Sequence, residues 1–157
     1  MTATAHALVA GALAAKFGDP ATVTLLALTS HYVMDSIPHW DFGTNWRSRP
    51  KRITGLFAIG ETTLGISLSY LWFGSQAPLV SWGLAVFASV LPDWLETPWY
   101  IFFAHHKKNS PDKQAGMFER IAYAFYKIPN VFHAKAQLPL GLITQIVTVA
   151  FFLSLLA

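Results

Sequence analysis

The sequence predicts an all-helical integral membrane bundle of four to five transmembrane helices with one interfacial amphipathic helix, a single domain over residues 1–157. Three observations lead there. Only 12% of the chain is charged and 54% is hydrophobic, with mean hydropathy +0.41, whereas soluble domains carry roughly 25% charged residues. The apolar residues gather in long runs separated by Gly, Pro or basic stretches. Several of those runs also carry acids or histidines, at what reads as one depth.

Composition bounds the function classes as well. The net charge is +3 and the pI about 9.3, a basicity that in a membrane protein describes topology, so no nucleic-acid partner is expected. Cysteine is absent, which excludes disulfides and thiolate metal sites. No Lys or Arg precedes the apolar run in Met1 to Ala15, so a cleaved signal peptide is not expected.

Taken in order, Ala3 to Phe17 is an alanine-rich helix, shorter than the roughly 20 residues that span a bilayer unaided. Lys16, Gly18, Asp19 and Pro20 then form a tight turn. Ala21 to Ile37 is the second helix, which Pro38 ends or kinks because its ring removes a backbone donor; the two read as a hairpin. Asn45 to Arg52 is a basic loop. Ile53 to Phe73 and Leu79 to Ala104 are the third and fourth helices, the fourth distorted by Pro92 and Pro98. Within the long polar stretch His105 to Lys135, the segment Met117 to Ile128 sets Phe118, Ile121, Ala122 and Phe125 against Glu119, Arg120 and Lys127, the pattern of an interfacial helix. Leu138 to Ala157 is uniformly apolar and long enough to span.

Arg47, Arg49, Lys51 and Arg52 lie on one loop, and Lys107, Lys108, Lys113, Arg120, Lys127 and Lys135 on another, while the Gly74 to Pro78 turn has no basic residue. The positive-inside rule makes both basic loops cytoplasmic, with the N-terminus inside. Trp72 and Trp82 then flank the outer turn, and Trp40, Trp46 and Trp99 the inner boundary, as an aromatic belt.

On that topology the polar residues converge. His31, Asp35, His39 and Asp41 fall within eleven residues, and His31, Asp35 and His39 share one helical face at i, i+4 and i+8. His6, Glu61, Asp93, Glu96 and His133 fall in the same cytoplasmic half. A charge facing lipid at the bilayer centre costs at least roughly 2.5 kcal/mol, so such groups are expected to face one another or a wet cavity. Imidazole and carboxylate without thiolate suit a divalent cation, zinc first, with iron or manganese as alternatives, and one or two ions fit the donor count. The metal ligands expected are His6, His31, Asp35, His39 and Asp93. Glu96, three residues after Asp93, is the candidate base for a water, and Glu61 a second catalytic candidate. The competing readings are ordinary: His39 and Asp41 as interfacial caps beyond Pro38, Glu61 bonded to threonines, and His105, His106 and His133 as loop residues.

Three short motifs bear a likeness. Thr4-Ala5-His6, Ser30-His31-Tyr32-Val33-Met34-Asp35 and Leu91-Pro92-Asp93 resemble the T-x-H opening, the SHxxxD element and the LPD element of the inner-membrane metal-dependent hydrolase family, the LexA-binding, YdjM-like hydrolases. Where that family continues LPD with a second Asp and a His, this chain has Trp94, Leu95 and Glu96. His31, Tyr32, Asp35, Pro38 and His39 are more loosely similar to the H-[FY]-x-x-D and P-x-H elements of zinc-dependent phospholipase C. The resemblance implies metal ligation by His6, His31, Asp35 and Asp93, and an inner-membrane location.

The expected function is hydrolysis of an ester or phosphoester by metal-activated water, with a membrane lipid as the candidate substrate. Two rivals use the same residues: a proton or metal-ion transporter, and a structural or regulatory membrane protein with a hydrogen-bonded polar core.

Overall fold

A computed structural model describes residues 1–41, 43, 49–104 and 110–157. Trp46, Arg47, His105, His106, Lys107 and Lys108, named above, lie outside the described residues. The described chain is all-helical: α1 (Ala3–Phe17), α2 (Pro20–Asp35), α3 (Lys51–Phe73), α4 (Leu79–Pro98), α5 (Met117–Phe132) and α6 (Leu140–Leu156), with a π-helical turn, Trp99–Phe103, continuing α4. Among the described residues there is no strand, only an isolated bridge between His39 and Lys135.

The α1–α2 hairpin follows from its turn chemistry. Gly18 closes α1 at φ 69°, its N–H reaching Ala14 O, a left-handed conformation that costs little without a Cβ. Asp19 then caps α2, its carboxylate accepting from Thr22 N at 2.7 Å, with Pro20 opening the helix, where its missing N–H costs nothing.

α1 is the central element. Its residues from Ala5 to Ala14 are all buried, and it packs against α2, α3, α4 and α6. Its alanines and a facing glycine permit close approach: a Cβ on Gly65 of α3 would lie 2.7 Å from Thr4 Cα and 2.9 Å from Thr4 N. Val9, Val23, Ala27, Met34, Ala85 and Val86 complete the apolar core around it.

α3 contrasts with α1. Only Gly65 and Ser69 are buried, while Leu56 and Leu71 are 67% and 73% exposed. α3, and α4 with its π-helical turn, are 23 and 25 residues long and apolar enough to cross a membrane. Against the expected four to five spans, α1, α2 and α6 have 15, 16 and 17 residues, short of the roughly 20 that cross unaided.

Two boundaries differ from the sequence expectation in ways that matter for the site. α2 stops at Asp35, two residues short of Ile37, because Ser36 becomes the C-cap and Pro38 cannot extend the helix. α4 gives way to π-helical geometry at Trp99, directly after Pro98. There Trp99 is fully buried, packing on Tyr123 and Tyr126 of α5 at ring separations of 4.8 and 5.9 Å; it joins two helices rather than facing headgroups as the aromatic-belt reading expected. Lys51 ties the start of α3 to the same turn, donating to Ile101 O at 2.9 Å.

The chain after α2 runs extended and pairs with the chain after α5. His39 N donates to Ala134 O at 3.1 Å, Ala136 N to His39 O at 2.8 Å, and Ala134 N to Asp35 O at 2.8 Å. This backbone link brings two remote loops against the open ends of α1 and α2.

Candidate metal centre

Asp35 is the hub. It closes α2 and is almost fully buried, with four imidazoles around its carboxylate. Oδ1 lies 3.1 Å from His6 Nε2 and 3.7 Å from His39 Nε2. Oδ2 lies 3.4 Å from His31 Nε2 and 3.8 Å from His133 Nδ1. The Met1 amine also meets Oδ1. His6, His31 and His39 have no exposed surface.

Hydrogen bonds fix which ring nitrogens carry hydrogen. His31 Nδ1 lies 2.7 Å from Ser89 O, and a carbonyl only accepts, so Nδ1 donates and Nε2 of the neutral ring is bare. His39 Nδ1 likewise donates to Ile37 O at 2.8 Å. His133 Nε2 donates to Asp41 Oδ2 at 2.8 Å, which leaves its Nδ1 bare toward Asp35. His31 Nε2 and His133 Nδ1 therefore face the carboxylate as acceptors, while His39 Nε2 lies 2.8 Å from His133 Nε2 and His6 Nε2 lies 3.1 Å from Oδ1.

A cation resolves that arrangement. Nitrogen and oxygen donors bound to zinc at about 2.0–2.1 Å in a tetrahedron lie roughly 3.3 Å from one another, close to the separations around Asp35. Two groups could hold a metal ion: His6, His31 and Asp93, and Asp35, His39 and His133, the donor atoms within each lying no more than 4.8 Å apart. His31 Nε2 and His6 Nδ1 are buried without a hydrogen-bond partner among the described residues, a condition that costs about 1–3 kcal/mol per group when nothing satisfies it.

The loop side carries its own electrostatics. Burial pushes the His133 imidazole down to about 4, more than its bond to Asp41 restores, and burial lowers His39 as well. Burial alone would raise Asp41, but hydrogen bonds from its histidine neighbours and the charge of Lys135 hold it well below the usual carboxylate range. Lys135 Nζ lies 3.5 Å from Asp41 Oδ2. Neutral imidazoles beside ionised carboxylates are the protonation states a metal requires.

His6, His31, Asp35, His39 and Asp93 thus come together, although His39 arrives by a different path from the one expected. It lies outside α2, and the backbone pairing with Ala134 and Ala136, not an i+8 helical position, aims it at Asp35. Glu61 lines a cavity beside the cluster and also caps α1. Its two oxygens accept from Ala3 N at 2.8 Å and Thr4 N at 2.7 Å, capping the first turn of α1, where N–H groups have no intrahelical partner. Glu96 is buried; Oε2 accepts from Tyr100 at 2.9 Å and Asn130 at 3.1 Å, and Oε1 has no hydrogen-bond partner among the described residues. His133 and Asp41, secondary candidates in the sequence, sit beside Asp35 because of the loop pairing, which no local pattern announces.

A cavity of about 280 Å³ adjoins the cluster, lined by Asp93, Glu96, His133 and Lys135 and also by Ile59 and Ile101. The last two are 56% and 51% exposed, so the cavity wall continues to the outer surface.

The comparisons give no family. The chain matches no family model, no curated protein and no solved structure. What the site can do rests on its own geometry.

Proposed function

We propose that this chain is a membrane-embedded metal-dependent hydrolase of four to five spans, acting on an ester or phosphoester of a membrane lipid. The observation that carries the reading is the set of buried imidazoles converging on Asp35 beside a cavity lined both by acids and by exposed apolar residues. Such a cavity suits an amphiphile, with its polar group at Asp93 and its chains along the exposed faces of α3 and α4. The likeness to the inner-membrane metal-dependent hydrolases supports the same reading on His6, His31, Asp35 and Asp93.

A divalent ion held here, zinc by the nitrogen-rich donor set, would supply a water of lowered pKa and polarise the scissile group. The chain's residues do the rest. His6, His31, Asp93, Asp35 and His39 would hold the ion, and the carbonyls of Ser89 and Ile37 orient two of the rings. Glu96 receives a proton from water at Oε1, while Tyr100 and Asn130 hold Oε2 in place. Lys135 and Lys51, at the cavity edge, favour a substrate with an anionic headgroup. In the proposed topology both basic loops and the cluster lie on the cytoplasmic side.

The test is hydrolysis of phospholipid and neutral ester substrates in mixed micelles by wild type and by Asp35→Asn. Loss of turnover in the folded variant is expected; equal turnover would remove Asp35 from the mechanism.

One observation favours a second reading. The Met1 amine pairs with Asp35, so the cluster can be neutralised without an ion, as in a structural or regulatory membrane protein. That reading expects no metal in purified protein and full function in His31→Ala.

A further inference from the structure

We infer that the histidine cluster is one two-ion centre bridged by Asp35, with His6, His31 and Asp93 around one divalent cation and His39 and His133 around the other. The inference rests on the metal-dependent reading above and specifies its nuclearity.

The imidazoles come as two pairs. His6 and His31 stack with ring centroids 4.2 Å apart, and His39 and His133 lie 4.7 Å apart. The first pair belongs to the helices α1 and α2, the second to the loops after α2 and α5. Each Asp35 oxygen is within 3.1–3.8 Å of one ring from each pair. A carboxylate so placed can give one lone pair to each side.

Donor count argues against a single ion. Four imidazoles and the carboxylates of Asp35 and Asp93 exceed the four positions of a tetrahedral zinc site. An ion seated on the loop pair alone would leave His31 Nε2 and His6 Nδ1 buried without a partner, and one seated on the helix pair alone would leave His133 Nδ1 facing Asp35 Oδ2 at 3.8 Å. The pairs also have separate supports. His31 is oriented by Ser89 O, whereas His133 is oriented by Asp41, the carboxylate–histidine arrangement that commonly fixes a metal-bound ring. The sides differ in access too: the Asp93 side chain is 29% exposed, that of His133 8%. Substrate therefore meets the centre from the Asp93 side.

The full chain, purified in detergent without chelator or nickel resin, is loaded with manganese or zinc and analysed for ions per chain by mass spectrometry. Two ions are expected in wild type, and one in the double variant His39→Ala, His133→Ala. The manganese form should give an exchange-coupled paramagnetic resonance spectrum, replaced in that variant by the signal of an isolated ion. These wild-type measurements stand even where the variant fails to fold. One ion per wild-type chain, or two uncoupled ions, would overturn the bridged centre and leave the hydrolase reading intact; no ion after loading would overturn both.

Discussion

Replacing Glu61 by glutamine distinguishes a helix cap from a catalytic acid. Its carboxylate accepts the N–H groups of Ala3 and Thr4 at 2.8 and 2.7 Å. An amide offers one oxygen and one NH₂, so Glu61→Gln keeps a single bond and sets a donor against the other donor. A hydrogen bond to a charged group contributes about 1.5–3 kcal/mol; the loss should be about 2–3 kcal/mol, and about twice that for Glu61→Ala, which removes both bonds. At roughly 2–4 °C per kcal/mol for a chain of this size, the Tm of Glu61→Gln should fall by roughly 4–12 °C. His6 sits two residues beyond Thr4 on the same helix, so bound metal should fall with stability. Thermal unfolding in detergent and metal analysis of the same sample measure both. Unchanged Tm and metal content with selective loss of turnover would refute the capping argument and return Glu61 to the reacting atoms.

Further outcomes are open to measurement. Gly65→Val should lower stability by roughly 1–3 kcal/mol or more, since even the Cβ would lie 2.7 Å from Thr4 Cα; an unaltered Tm would mean that α1 and α3 do not meet at this point. In chelator-stripped protein, His133 titrates at about 4 in the fold against an ordinary 6.5. The unfolded chain therefore binds more protons between those values, and stability should fall as pH drops from about 6.5 to about 4, by roughly 1.4 kcal/mol per unit at most from this group. His133→Gln should flatten that slope, and an equal slope in the variant would assign it elsewhere. With no native cysteine, Ser75→Cys and Ser110→Cys report topology: an impermeant thiol reagent added outside should label the first only, and labelling of the second would reverse the orientation.

Much of the fold was legible because apolar runs and turn residues are local. α1 starts and ends where its composition indicates, and Gly18, Asp19 and Pro20 spell out the hairpin that the structure contains. The helix ends were harder at Ile37, where apolar character continues past the cap at Ser36. The cluster was legible in its residue types: His6, His31, Asp35 and Asp93 lie on helices whose register is local. His39 was placed beside Asp35 for a helical reason that does not hold, since a loop pairing with Ala134 and Ala136 brings it there. Glu61 marks the opposite limit. A lone acid in an apolar helix looks catalytic until the start of another helix is seen resting on it, a contact 57 residues away in sequence.

The pairing of His39 with residues 134–136 has a consequence for how the protein is made. His6, His31, Asp35 and His39 leave the ribosome early, Asp93 later, and His133 only when most of the 157 residues have been synthesised. If the bridged centre is correct, a nascent chain holding α1 to α4 can offer one half of it, while the other half waits for a segment near the end. Completion of the centre then reports synthesis through residue 136: a stalled product lacking residues 133–136 would retain one ion at most, and metal content in a truncation series should rise by a step at that point.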